Sequence, residues 1–132
     1  MPAPLPSALH RQTLADLPDG GSGHYARCIR EIRTRASDTV IETLIPDYQG
    51  EQLATLMAAA PDVLAHNVEV VSRLQRKIRD PRCSFERSLE TLRGAKRLVP
   101  DVFTKSSIML GLGETHDELV ESMQRLRDAG VD

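Results

Sequence analysis

The sequence predicts an α/β chain in which parallel strands carry helices on their outer side, either as an open doubly wound sheet or as an arc of a (β/α) barrel. Three observations carry this prediction. Short β-branched runs alternate with stretches of helical periodicity. Each strand candidate is followed by a turn and then a helix, never by a second strand. The 132 residues reach only about half of the roughly 250 that a closed eight-stranded barrel typically uses. One domain over 16–132 is expected, behind an end at 1–15 that reads as disordered or substituted.

That end holds Pro2, Pro4 and Pro6, has no β-branched run, and lacks both a secretory signal and a transit pattern. After the glycines at 20, 21 and 23, Tyr25, Cys28, Ile29 and Ile32 fall on one helical stripe, which predicts Cys28 in the core. Thr39 to Ile45 is short and β-branched and closes on Pro46-Asp47, the pattern of a strand ending in a turn. Leu53, Leu56, Met57 and Ala60 give the buried face of a second helix that Pro61 ends. Val63 to Glu69 reads as the next strand, and 70–82 as irregular or weakly helical. From Phe85 to Leu98 the stripe Leu89, Leu92, Ala95 and Leu98 predicts a helix that tolerates Gly94. Phe103 to Leu110 is the third strand. Thr115 to Glu118 is a capping box for a last helix through Leu119, Val120, Met123 and Leu126, stopped by Gly130.

Composition removes several function classes. Seventeen basic against nineteen acidic residues leave a formal charge of -2, and without a basic run there is nothing to track a phosphate backbone, so no nucleic-acid partner is expected. No apolar stretch approaches the roughly 18 residues of a membrane span. Cys28 and Cys83 stand far apart, which offers neither a disulfide framework nor a short cysteine ligand spacing and suits a reducing, cytoplasmic setting.

In parallel α/β folds ligands meet the C-terminal ends of strands and the loops that follow. Strand alternation sets Asn67 and Glu69 on the face opposite Leu64, His66 and Val68, so a carboxamide and a carboxylate point inward near the mouth. A polar ligand would partner them; a satisfied polar pair or a solvated strand end would explain them equally. Lys105 and Ser107 share one face of the third strand, which runs into Ile108-Met109-Leu110-Gly111-Leu112-Gly113-Glu114. Glycines there let backbone approach a ligand and the next helix offers free N–H groups, while a tight turn needing positive φ accounts for the same residues. Gly20 and Gly21 form a glycine-paired loop before a helix. The histidines read as structural, none with a second ligand at metal spacing, and Arg73, Arg76, Lys77 and Arg79 read as a solvated charged face.

Five segments, in order, then matter together: D-L-P-D-G-G-S-G-H, V-I-E-T-L-I-P-D-Y, P-D-V-L-A-H-N-V-E-V-V, F-E-R-S-L-E-T-L-R-G-A-K and D-V-F-T-K-S-S-I-M-L-G-L-G-E-T. From Asp16 to Asp132 the chain resembles the lipoyl synthase family. The resemblance implies a partial radical S-adenosylmethionine barrel. The implied parent enzyme uses S-adenosylmethionine and [4Fe–4S] clusters to insert two sulfurs into an octanoyl group. Its substrate would be carried on a lipoyl domain or a glycine cleavage H protein, in the cytoplasm or, in a eukaryote, the mitochondrion. By the same resemblance Gly20 and Gly21 meet the methionyl amino group through their backbone. Asn67 and Glu69 lie near the ribose and carboxylate, Lys105 and Ser107 at the entry to the next substrate-side strand, and Ile108 to Glu114, with Gly111, near the adenine.

Departures from the family pattern shape the expected activity. The C-x-x-x-C-x-x-C loop, the auxiliary cysteine set and the R-S-S segment do not occur in this sequence, and Cys28 and Cys83 match no ligand position. Ser72, Gln75 and Phe85 replace the usual Pro, Tyr and Tyr. The expectation is a fragment inactive by itself, which self-associates through strand edges that barrel closure would hide. The alternative is a noncatalytic, degenerate half-barrel acting as a binding or assembly protein.

Overall fold

The structure, a computed structural model, describes residues 16–132; the end expected at 1–15 lies outside the described residues. The elements follow in the order α1 Ser22–Arg35, β1 Glu42–Leu44, α2 Gly50–Met57, β2 Val63–Ala65, a 3-10 turn Ser72–Leu74, α3 Gln75–Ile78, α4 Phe85–Leu98, β3 Phe103–Lys105 and α5 His116–Asp128. The strands form one parallel sheet in the order β1-β2-β3, in which Glu42, Val63 and Phe103 are in register and so are Leu44, Ala65 and Lys105. Helical crossovers between neighbouring parallel strands make this a partial α/β barrel.

The strands are shorter than the β-branched runs suggested, and the cause is local. The ladder runs on through Ile45 N to Ala65 O and His66 N to Lys105 O, then breaks. There the Ser106 hydroxyl, not a carbonyl, accepts from Val68 N. Pairing resumes in an isolated bridge between Glu69 and Ile108.

Burial separates the two faces of the sheet. Ile41, Thr43, Ile45, Leu64, His66, Val68, Val102 and Thr104 are buried on the helix side. Leu44 and Phe103, on the other face, are 53% and 63% exposed. Leu56, Leu64, Leu89 and Leu92 are completely buried, and burying such side chains contributes about 1.5–3 kcal/mol each. Stability therefore resides in the helix-side layer. Within it Gly94 of α4 faces Leu53 of α2, where a Cβ would stand 2.8 Å from Leu53 Cδ2.

Several apolar positions face differently from the periodic reading. Cys28 is exposed and Ile32 is 41% exposed, because α1 buries Ser22, Ala26 and Ile29 instead. The small Ser22 and Ala26 let the helix approach α2 closely, which a hydrophobicity stripe does not register. α2 ends at Met57, ahead of Pro61, and Ala60 is an exposed turn residue at φ 56°. Leu98, the last residue of α4, is half-exposed, as are Val120 and Met123, since α5 buries Ser122 and Leu126. The Thr115–Glu118 capping box forms as expected.

Candidate functional site

Glu69, at the end of the run from β2, is a non-glycine residue in the left-handed region at φ 66°. That conformation costs about 1–2 kcal/mol and is held by two backbone bonds, Glu69 N to Ser107 O and Met109 N to Glu69 O. Asn67 and Glu69 are both half-buried. Among the described residues neither side chain has a hydrogen-bond partner, so they are not a satisfied pair. Both line a cavity of about 260 Å³ together with Leu44, Pro46, Asp47 and Cys83. Pro46, Asp47 and Cys83 also line a second cavity of about 380 Å³ bounded by Gly20, Tyr48, Gln52, Arg82 and Arg87. The shared walls join the two into one groove across the C-terminal ends of β1 and β2, from Gly20 to Glu69.

The glycine loop at one end of the groove is fixed by its own side chains. Gly21 N and Gly23 N both donate to the Asp19 carboxylate at 2.9 Å, and these bonds hold its pKa below the usual value. Gly20 and Gly21 have φ of 60° and 83°, and a Cβ on Gly20 would stand 2.8 Å from Gln52 Nε2. A side chain there would be strained at that φ and would displace the Gln52 amide. The buried Tyr48 hydroxyl donates to Gly20 O, and its ring meets Tyr25 edge-on at 6.1 Å. Burial first, then Tyr25 and Asp19, push the Tyr48 phenol up to about 12.

Below the groove lies a buried polar chain. His66 Nδ1 is 2.8 Å from Ile45 O and Nε2 is 2.6 Å from the Asp47 carboxylate. Both ring nitrogens are thus engaged, one by a carbonyl and one by a carboxylate. Ser88 Oγ donates to Asp47 at 3.1 Å, and Arg79 bridges Ser88 and Gln75 at 3.0 Å. Burial opposes ionisation of Asp47, but the bonds from His66 and Ser88 with the charges of His66 and Arg79 outweigh it and hold the carboxyl low. Gln75 donates to Val68 O and Val70 O, carbonyls left over where the sheet ladder breaks.

The remaining sequence candidates lie apart from the groove, and none of them lines either cavity. Lys105 reaches Glu42 across the open sheet face at 2.9 Å. Ser107 is exposed and Ile108 bridges Glu69. Gly111, at φ 86°, belongs to a turn whose N–H groups are occupied, since Gly111 N and Leu112 N donate to the Glu114 carboxylate at 2.7 and 2.9 Å. The loop amides at Gly111 and Leu112 are thus occupied, and Gly111 and Gly113 both take the positive φ that a tight turn needs, ahead of a helix that begins at His116.

The basic run is not simply a solvated face. Arg79 is partly buried in the polar chain, and Arg73 grips Glu118 through Nε and Nη2 at 2.6 and 3.0 Å while donating to Gly113 O. Arg73 and the Thr115 backbone pull Glu118 down to about 2. This carboxylate contributes stability above its ordinary pKa of about 4.3, and the contribution is lost as pH falls toward 2. Amide exchange at 111–115 should therefore rise as pH drops through that window before the α4 core opens, measured relative to each amide's intrinsic rate. Loss of α4 protection at the same pH would contradict a local clamp.

Sequence reasoning treated Pro46-Asp47 only as a turn and did not single out Tyr48, although both directly follow a strand, where ligand-side residues are expected. It also gave His24 no metal-spaced neighbour, whereas Cys28 Sγ lies 3.6 Å from His24 Nε2 one turn along α1.

The radical SAM superfamily pattern matches residues 12–126. The chain belongs to that superfamily. It is 53% identical over 119 residues to the lipoyl synthase of Thermus thermophilus, covering 89% of this chain and 37% of the relative. It is 51% identical to the lipoyl synthase of Halorhodospira halophila, covering 89% of this chain and 36% of the relative. It is 49% identical to a mitochondrial lipoyl synthase of Branchiostoma floridae, covering 89% and 32%. The chain thus spans about a third of the length of the curated relatives it matches. No helix among the described residues is long and apolar enough to cross a membrane.

The radical SAM chemistry implied by the family requires S-adenosylmethionine and an iron–sulfur cluster, and the residues present suit them unequally. The groove offers a carboxamide, a carboxylate and a glycine loop, a donor set that fits a polar nucleoside with an amino-acid tail. A [4Fe–4S] cluster with one site left to ligand needs about three thiolates, whereas this sequence has two cysteines. Cys28 sits on the outside of α1 and Cys83 in the groove wall, where burial first and then the Asp47 charge raise its pKa. Among the described residues no group of three or more His, Cys, Asp or Glu could hold a metal ion. These residues do not fit a cluster.

Proposed function

We propose that this chain forms the S-adenosylmethionine-binding side of a lipoyl synthase, the sulfur-inserting enzyme that converts a protein-bound octanoyl group into lipoyl. The observation that carries the reading is the half-buried, unpartnered pair Asn67 and Glu69 facing a groove that begins at Gly20. Asn67 offers both a donor and an acceptor, suiting a ribose or a carboxylate; Glu69 accepts from ribose hydroxyls. The Gly20–Gly21 backbone takes the amino end. Lys105 and Ser107, with Ile108 and Gly111 beyond, extend the substrate side over the open sheet face. A bound S-adenosylmethionine would supply a reactive sulfonium, and the residues of this chain would bind it, orient it and exclude water.

The protein partner in this reading is an octanoylated lipoyl domain or glycine cleavage H protein, and the compartment is the cytoplasm, or the mitochondrion in a eukaryote. The exposed inner face, with Leu44 and Phe103 uncovered, favours a second role as a noncatalytic half-barrel that assembles with a complementary piece.

Nitrogen-15 spectra of the chain titrated with S-adenosylmethionine test the first reading. Weak binding is expected, well short of the micromolar affinity that corresponds to about -8 kcal/mol, because no iron grips the amino and carboxylate groups. Shifts should centre on Gly20, Gly21, Asn67 and Glu69. Asn67→Ala with Glu69→Ala should abolish them, and unchanged binding in that double variant would overturn the assignment.

A further inference from the structure

The exposed face of α1 carries a thiol and an imidazole that the groove does not use. His24 and Cys28 are one helical turn apart, both are exposed, and among the described residues neither has another hydrogen-bond partner. Residues at i and i+4 stack on one face, so the two groups converge without distortion of the backbone. Their separation decides what they can hold. Metal–sulfur and metal–nitrogen bonds of roughly 2.3 and 2.05 Å at a tetrahedral angle place sulfur and nitrogen about 3.6 Å apart. Cys28 Sγ and His24 Nε2 are 3.6 Å apart.

We propose that His24 and Cys28 form a two-ligand site for a thiophilic divalent cation of the zinc, cobalt or cadmium class. Binding forms a metal–sulfur bond at Cys28 as its thiol proton passes to solvent, and a metal–nitrogen bond at the neutral His24 ring. The metal's charge does not change. Thiolate with imidazole selects borderline-soft ions over magnesium or calcium, which prefer oxygen. Two coordination positions remain for water or a further ligand, since no third ligand side chain converges there among the described residues. Cys83 cannot substitute: it lies in the groove wall with its thiol pushed up by burial, and among the described residues no histidine shares its cavities except His66, whose two nitrogens are engaged.

Cobalt(II) titration of the full chain under anaerobic conditions with a phosphine reductant is the test. A thiolate-to-cobalt charge-transfer band in the near ultraviolet should saturate at one equivalent and vanish on adding zinc. Cys28→Ser should remove the band, His24→Ala should weaken apparent affinity by about tenfold or more as the chelate is lost, and Cys83→Ser should leave both unchanged. Both substitutions lie on an exposed helix face, and matching circular dichroism spectra establish that they fold. A band that follows Cys83, an unchanged affinity in His24→Ala, or no band in the unaltered chain would overturn the site.

Discussion

Replacing His66 with alanine should cost the chain about 3–5 kcal/mol, combining the cavity left by a buried side chain with the loss of two buried hydrogen bonds. The side chains of His66 and Asp47 are only 4% and 12% exposed. Without the imidazole the Asp47 carboxylate keeps Ser88 at 3.1 Å and Arg87 at 3.9 Å, and a void opens beside Leu64 in the best-packed layer. A domain of this size has about 5–15 kcal/mol of net stability, so the variant would stand near unfolding. Urea denaturation at neutral pH measures the loss, and a change below about 1 kcal/mol would show that the polar chain does not hold the strand ends together. The pH dependence follows from Asp47. Its folded pKa is depressed, so its contribution is complete above the ordinary aspartate value of about 3.9 and disappears as pH falls through the lower folded value. Asp47→Asn should flatten that acid limb.

The second large effect concerns association. β1 and β3 are the edges of the sheet, and Leu44, Phe103, Met109, Leu110 and Leu112 are exposed. Unpaired edges beside apolar surface are templates for another chain. In concentrated solution the chain should form dimers or larger species by light scattering after size exclusion. Leu44→Lys combined with Phe103→Lys should shift it strongly toward monomer, since opposed charges of one sign on the inner face repel. A sharp 14.6 kDa monomer of the unaltered chain with cooperative unfolding would show a self-sufficient domain instead.

How much of this was legible in the sequence depends on the kind of signal. Strand and helix order came from periodicity, and the stripe Leu89, Leu92, Ala95 and Leu98 located α4 to the residue. The inward placement of Asn67 and Glu69 followed from alternation alone. The left-handed turn at Glu69 did not, since nothing in an acidic residue signals positive φ. Cys28 was misplaced because hydrophobicity scores ignore the close approach that Ser22 and Ala26 permit. The His66–Asp47–Ser88–Arg79 chain joins residues 19, 41 and 9 positions apart, and no local pattern encodes such a meeting. The Glu114 carboxylate filling the amides at Gly111 and Leu112 was invisible for a different reason: a glycine turn before a helix looks the same whether its donors are free or occupied.

The contact between Gly94 and Leu53 bears on curvature. Each strand–helix unit of such an arc is a wedge, and the angle between neighbouring wedges is set by how near their helices come for a fixed spacing of strands. A hydrogen in place of a methyl lets α4 lean onto α2 until Leu53 nearly touches its backbone. Alanine there would turn Leu53 aside; valine or leucine would drive the outer layer apart while the hydrogen-bonded strands kept their separation. Spreading the rim faster than the hub changes the bend of the whole sheet and shifts where its two free borders point, so the closing radius of the arc depends on one missing side chain in the outer layer.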